Sequence, residues 1–443
     1  MTTQLKNELL YGGRFLFRDN PALALPVASE LAANENKSAD ELHALGQRLL
    51  HASLQRAIEV LPYYANLRRD FSIADNEQVL REHFPVIDKS TLLANRAMLY
   101  PNDGVKKFWH ALGKTSGTTG TPLTIFRSPR SVLYENEFIK RHWTWGGFRT
   151  GMKRATLRGD LVVPIDRAEP PYWFYNRYNN QLLLSSRHLT DGCVDAIIDK
   201  LDEYRPDMLQ AYPSTAYTLA TYLARRQRRL RIPVVFSASE PLYPHQREAI
   251  LEWLGIGVMD MYGMAERVAF ATQCEHGSMH LNPDYSHVEI LDEDGNPTDD
   301  VGFVVGTTYH NDAMPLVRYK LSDRTRWKPG RCACGRAFPM IEEVTGKFED
   351  SITGSDGMVV SPSVLTFAFK GVENIRRSQV AQVGPAHWQV RLVPDDGFSA
   401  ADSQKLIDNI HHLVDPKVKV EVILKDALPN TAAGKFRWVV NET

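Results

Sequence analysis

A layered α/β domain followed by a small α+β domain is the fold class that three features of this sequence predict. Between residues 152 and 303, short apolar runs alternate with helical patterns, the signature of strands and helices packed in layers. Residues 288–291, 302–309 and 316–321 are then strand-like runs with no helix between them, which predicts an antiparallel or barrel-like β subdomain. A new pattern starts near Gly346 and supplies the small domain. At 443 residues the chain is too long for one compact unit, so we expect a large domain over 1–346 and a small mobile one over 347–443.

In order along the chain, the first hundred residues read as helical. Leu42, Leu45, Leu49, Leu54, Ile58 and Leu61 trace one face, and Pro62 and Phe84-Pro85 punctuate the segment. Residues 112–126 read as loop and strand around a glycine-rich turn. Strands follow at 155–157 and 161–163, then helices at 194–204 and 215–229, a strand at 234–238, a helix at 244–254 and a strand at 258–261. In the tail, 388–393 alternates as a strand. Leu406, Ile407, Ile410 and Leu413 give helix 401–414 its apolar face, and 418–424 is a second strand.

Composition excludes several classes of function. With 43% hydrophobic and 24% charged residues, the chain is an ordinary soluble globular protein. A net charge of -1 argues against a general nucleic-acid or anionic-membrane partner. The run Arg225-Arg226-Gln227-Arg228-Arg229-Leu230-Arg231 reads as a solvated helix end, where cations favour the dipole. Residues 1–20 show no signal peptide and no run reaches a membrane span, so the cytoplasm is the expected location. Four cysteines in a chain this long are not a disulfide scaffold.

Five short segments carry chemistry. Lys114-Thr115-Ser116-Gly117-Thr118-Thr119-Gly120-Thr121-Pro122 packs glycines and hydroxyls into a turn whose N–H and O–H groups can wrap a phosphate. It lacks the Gly-Lys-Ser/Thr ending of the common nucleoside-triphosphatase loop. Met261-Tyr262-Gly263-Met264-Ala265-Glu266 follows a buried strand. Arg318 to Arg326 places Asp323 and Arg326 after another, and a carboxylate there can hold two ribose hydroxyls. Ser237-Ala238-Ser239-Glu240-Pro241-Leu242 is a polar strand-to-helix turn. Leu428-Pro429-Asn430-Thr431-Ala432-Ala433-Gly434-Lys435 sets a lysine in a loop near the C-terminus.

In their order along the chain, these segments resemble the adenylate-forming, acyl-CoA synthetase-like superfamily, over residues 114 to 437. The match is closest to its phenylacetate-CoA ligase and capsular-polysaccharide adenylyltransferase-like branch, which Leu61-Pro62-Tyr63-Tyr64 and Phe84-Pro85-Val86-Ile87-Asp88-Lys89 also resemble. The resemblance implies an AMP-forming ligase that joins a carboxylic acid, expected to be aromatic, to AMP and releases pyrophosphate. ATP would be held by Thr115, Ser116, Gly117, Thr118, Thr119, Gly120, Ser239, Glu240, Tyr262, Gly263, Asp323 and Arg326. Glu266 would bind magnesium, and Lys435 would be the catalytic cation. A hinge at Glu349 and Asp350 would swing the small domain for the second half-reaction. Coenzyme A is the expected acceptor, with an amine or a carrier protein as the alternative. A silent nucleotide-binding protein on the same fold is a second alternative, and a homodimer is left open.

Cys332-Ala333-Cys334 supplies two thiolates one residue apart, and Cys274 and His280 complete a four-ligand set of the kind that closes a structural zinc site. His280 suits it better than His276, and Cys193 has no partner. Trp143, Trp145 and the run 172–175 form aromatic clusters that read equally as core or as lining for an aromatic acid.

Overall fold

The computed structural model describes the chain outside residues 1–2, 68–69, 102–108, 115–122, 165, 346–351, 361, 370, 373 and 429–436. The phosphate loop, the hinge pair Glu349 and Asp350, and Lys435 therefore lie outside the described residues.

Five parallel strands form the heart of a ten-stranded sheet, in the order Gly255–Gly263, Ile232–Ala238, Met208–Ala211, Arg154–Arg158, Gln181–Ser185. Parallel neighbours need a crossover, and helices Val194–Tyr204, Pro213–Arg225 and Pro244–Trp253 supply three of them. Alternate residues of each strand face opposite layers. Leu209, Val235 and Val258 pack beneath the crossover helices with Ile197, Leu219 and Ile250. Met208, Val234, Phe236 and Met259 face Trp143 and Trp145, from the long helix Pro129–Trp145. With both faces covered, strand Gln181–Ser185 is buried throughout, which is why its leucines form an unbroken apolar run. The helix comes close to the sheet at Gly146, where an added Cβ would lie 2.6 Å from the Phe236 ring.

Beyond Gly255–Gly263 the sheet turns antiparallel through Phe270–Gln273, Met279–Leu281, Met340–Ile341 and Trp327–Lys328. The stretch expected to be antiparallel or barrel-like is an open three-stranded meander, Ser286–Leu291, Gly302–Thr308 and Tyr319–Thr325. Helix Ala39–Val60 lies against it, and Leu50, Leu54 and Ile58 share a core with Val304 and Tyr319. Ser38 and Glu41 start that helix with reciprocal side-chain-to-backbone bonds. The smaller C-terminal domain carries a four-stranded sheet ordered Lys419–Leu424, His387–Pro394, Ile375–Gly384, Val439–Asn441. Leu406 and Ile410 of helix Ala400–Leu413 pack on its Trp388 and Val390.

Three expectations shift. Residues 161–163 form no strand. Val162 and Val163 instead cover Tyr11 and Phe174, and the Val162 carbonyl accepts from Asn7 Nδ2 at 2.9 Å. The strand expected at 316–321 runs Tyr319–Thr325, because Arg318 has φ 48° and breaks the extended run before it. Helix 215–229 starts at Pro213 and ends at Arg225, and Gln227 turns left-handed at φ 51°. The arginines beyond it pair with an acidic stripe on the neighbouring helix, Arg226 with Asp195 and Arg228 with Asp199 at 2.6 Å. That basic run is a solvated surface feature, as expected.

Candidate active site

The carboxyl ends of parallel strands are where α/β sheets collect ligands, since loops and helix starts diverge there. Of the expected nucleotide residues, Ser239, Glu240, Tyr262 and Gly263 lie at this edge. The register Ala238↔Met261 places Ser239 beside Tyr262 at the ends of adjacent strands. Ser239 adopts φ 74°, a conformation costly for a non-glycine residue and typical of functional turns. Glu240 Oε2 accepts the Ser214 backbone N–H at 3.1 Å, which ties this turn to the start of the Pro213–Arg225 helix.

Tyr262 and Asp323 are 61 residues apart, yet the Tyr262 hydroxyl donates to Asp323 Oδ2 at 2.8 Å. Asp323 shares the buried face of its strand with Tyr319, Leu321 and Thr325, an unusual place for a carboxylate. Burial and the Asp323 charge hold the Tyr262 phenol well above its ordinary range, so it remains a donor. Gly263 ends the strand against Phe270. Arg326 is exposed one residue past the end of its strand, away from the buried face that carries Asp323.

Burial and the nearby Glu266 charge hold the Tyr319 phenol well above its ordinary range. Two cations that the sequence reading gave no role approach Glu266. Segment 84–89 pairs with the Tyr319 strand, Ile87 N–H donating to Arg318 O at 3.0 Å and Ile87 O accepting from Lys320 N–H at 2.7 Å. This brings the half-buried Lys89 within electrostatic range of Glu266. Burial lowers the Lys89 ammonium to about 8, and Glu266 opposes that shift. Arg127 pairs with Ala111 at the end of the antiparallel strands Ala111–Lys114 and Thr124–Arg127, which flank the glycine-rich segment in sequence. Its guanidinium lies over Gly113, where a Cβ would come within 2.4 Å, and its Nη2 donates to Ala265 O at 2.6 Å. Burial lowers it to about 10. The only sequence signal for Lys89 was its place in a segment already singled out, and Arg127 had none.

Some 58 residues apart in sequence, Cys274 Sγ and Cys332 Sγ lie 3.6 Å apart, and Cys334 Sγ lies 3.5 Å from His280 Nε2. The four ligand atoms are all within 4.8 Å of one another. Edges of a tetrahedron with Zn–S of about 2.3 Å and Zn–N of about 2.05 Å are roughly 3.8 and 3.6 Å, so the spacing suits that ion. His280 is buried, and its Nδ1 donates to Phe338 O at 3.0 Å, leaving Nε2 as the free ligand atom. His276 lies outside the cluster and Cys193 packs beneath the crossover helices, both as expected. The aromatic clusters are core: Trp143 and Trp145 back the cysteine cluster, and Tyr172 and Phe174 are buried elsewhere.

Residues 352–442 match the family model of the CapK C-terminal domain. Protein CapK of Staphylococcus aureus is 24% identical over 341 residues, covering 74% of this chain and 73% of its own. Phenylacetate-coenzyme A ligase of Escherichia coli K12 is 26% identical over 361 residues, covering 75% and 76%. Among solved structures, 2-hydroxyisobutyryl-CoA ligase in complex with 2-HIB-AMP and CoA, in the thioesterification state, superimposes with a TM-score of 0.56. It is 18% identical and covers 92% of this chain and 91% of its own. The chain shares the fold of that ligase. In sequence the chain is similar to protein CapK and to the phenylacetate-CoA ligases.

Proposed function

We propose that this protein is an AMP-forming acid–CoA ligase. The observation that carries the reading is the Tyr262–Asp323 pair, a buried carboxylate and phenol joined at the ligand-collecting edge of the sheet, with Glu266, Lys89 and Arg127 grouped beside it. In the first step an oxygen of the acid attacks the α-phosphorus of ATP, and the bond to pyrophosphate breaks. In the second, the CoA thiolate attacks the acyl carbon and AMP leaves. Asp323 would hold the ribose hydroxyls and Tyr262 would lie against adenine, with Ser239, Glu240 and Gly263 framing the base and Arg326 reaching it from the strand end. The turn from Thr115 to Gly120 would wrap the phosphates. Lys435 would neutralise charge as it develops on the α-phosphate, a task of positioning and electrostatics. Relatives named for phenylacetate make an aromatic acid the first to test.

Magnesium suits Glu266, because this ion takes one or two carboxylates plus phosphate oxygens. It would supply charge neutralisation at the polyphosphate. The cysteine cluster suits zinc in a structural role, since four protein ligands leave no open position. The small domain would act as a lid turning at Glu349 and Asp350. The cytoplasm supplies the ATP and CoA that this reading requires, and among the described residues no helix is long and apolar enough to cross a membrane.

A homodimer would use the outer face of helix Thr3–Phe17. Leu5, Leu9, Leu10, Leu16 and Phe17 are exposed on it, and nothing lies above Gly13 between them, so a second backbone can approach. With Leu23 and Leu25 past the turn, the exposed side chains amount to on the order of 700 Å², near the ~800 Å² per partner of a standard interface. Light scattering should give a dimer, and Leu9→Glu a monomer. A monomeric unmodified protein rejects this surface.

The decisive assay for the activity is pyrophosphate release with ATP and a panel of carboxylic acids, followed by thioester formation on adding CoA. No acid yielding pyrophosphate would overturn the reading.

A further inference from the structure

We propose that Arg158 and Arg187 form an oxyanion site at the seam between the two domains, taking a carboxylate or phosphate carried by one of the ligase's substrates. Strands Arg154–Arg158, Gln181–Ser185 and Met208–Ala211 are neighbours in the sheet, and their carboxyl ends continue the edge that holds Ser239 and Tyr262. Arg158 stacks its guanidinium 4.9 Å from the centre of the Tyr212 ring, and Arg187, half-buried like it, shares the same tyrosine as a neighbour.

Two guanidiniums withdrawn from water beside one ring call for acceptors or anions. Yet among the described residues no carboxylate oxygen lies within 4.0 Å of either. Burial acts against both cations; Tyr212, Asp160 and Glu240 outweigh it at Arg158 and raise that guanidinium, while Tyr212, Asp160 and Asp415 do not offset it at Arg187. Arg187 Nη2 has one weak bond, to Gly159 O at 3.4 Å, and its buried Nε has no partner. The nearby Ser214 Oγ, at the start of the helix after Tyr212, is also buried without a partner. Burial lowers the Arg187 guanidinium to about 10, as expected of a cation lacking its counter-ion.

The position faces both substrates. Ser214 N–H reaches Glu240 in the proposed adenine turn, while Tyr212 is buried within the core of the small domain, beside Trp388 and Val390. A second acidic group on the acid and a phosphate of CoA share the required chemistry. The inference rests on the ligase reading for the identity of the substrate, but not for the existence of the site.

Titration of the full-length protein, without ATP, against inorganic phosphate and against succinate tests the site itself. We expect saturable binding of at least one, weakened tenfold or more by Arg187→Gln and by Arg158→Gln and largely kept by Arg187→Lys, with ATP binding unchanged as the folding control. Turnover then separates the sources. A rise in KM confined to dicarboxylic acids over matched monocarboxylic ones assigns the acid. A rise for CoA but not for dephospho-CoA assigns the acceptor's phosphate. If neither anion binds, or if both Gln variants bind them like the unmodified protein, the site is overturned even when the enzyme releases pyrophosphate. A panel without any pyrophosphate release rejects the ligase reading and leaves the titration to decide the site.

Discussion

Asp323 is the residue on which the nucleotide reading turns. A carboxylate holding two ribose hydroxyls makes two charge-assisted bonds, each worth about 1.5–3 kcal/mol in a buried site. Asp323→Ala should weaken ATP far more than the acid, and 2′-deoxy-ATP should already bind poorly to the unmodified enzyme. Titrating both nucleotides against both proteins checks this: a variant that still prefers the ribonucleotide strongly places the ribose grip elsewhere. Lys89 makes a prediction in pH. Its folded value of about 8 lies below the ordinary value of about 10.4, so the folded enzyme loses this charge as pH rises through about 8. Between those values the unfolded chain holds more protons, so stability rises with pH across that window. If the ammonium meets a phosphate, kcat/KM for ATP should fall above pH 8, and Lys89→Arg should remove the fall by keeping its charge. A pH profile that is the same in both proteins assigns the fall to another group.

At the scale of elements, the cysteine cluster joins three separate pieces of backbone. Cys274 follows strand Phe270–Gln273, His280 lies in Met279–Leu281, and Cys332 and Cys334 sit in the turn before Met340–Ile341. Trp145 and Phe338 close over them. Purified protein should carry about one zinc per chain without added metal, and Cys332→Ser should lower zinc content and Tm together. Full stability in a metal-free sample would remove zinc from the account. The elements also show which patterns could be read in advance. Helix Val194–Tyr204 was placed to the residue because Ile197, Ile198 and Leu201 make one clear stripe. Residues 161–163 misled because an apolar triplet is equally a strand and a plug, and here Asn7 and Tyr11 claimed it.

For the whole molecule, the proposed reaction would be divided between two domains. Lys435→Ala should reduce adenylate formation by orders of magnitude and leave the fold intact, since an isolated loop lysine contributes little to stability. A pre-made acyl adenylate should still be converted to the thioester, because the lid would have turned Lys435 away by then. Equal loss in both half-reactions would contradict that division.

By itself the sequence determined the order of the layers, the four-ligand cysteine and histidine set and the candidates Tyr262, Glu266 and Asp323. Each depends on local periodicity or on residue types whose chemistry is narrow. Only the tertiary structure decided that Tyr262 bonds Asp323 across 61 residues, that Lys89 and Arg127 flank Glu266, and that Arg158 and Arg187 meet at Tyr212 without a counter-ion. It also turned the aromatic clusters from pocket candidates into core. The reason is physical: an arginine or lysine looks the same in sequence whether solvated or withdrawn from water, and burial by distant strands is what makes its charge consequential.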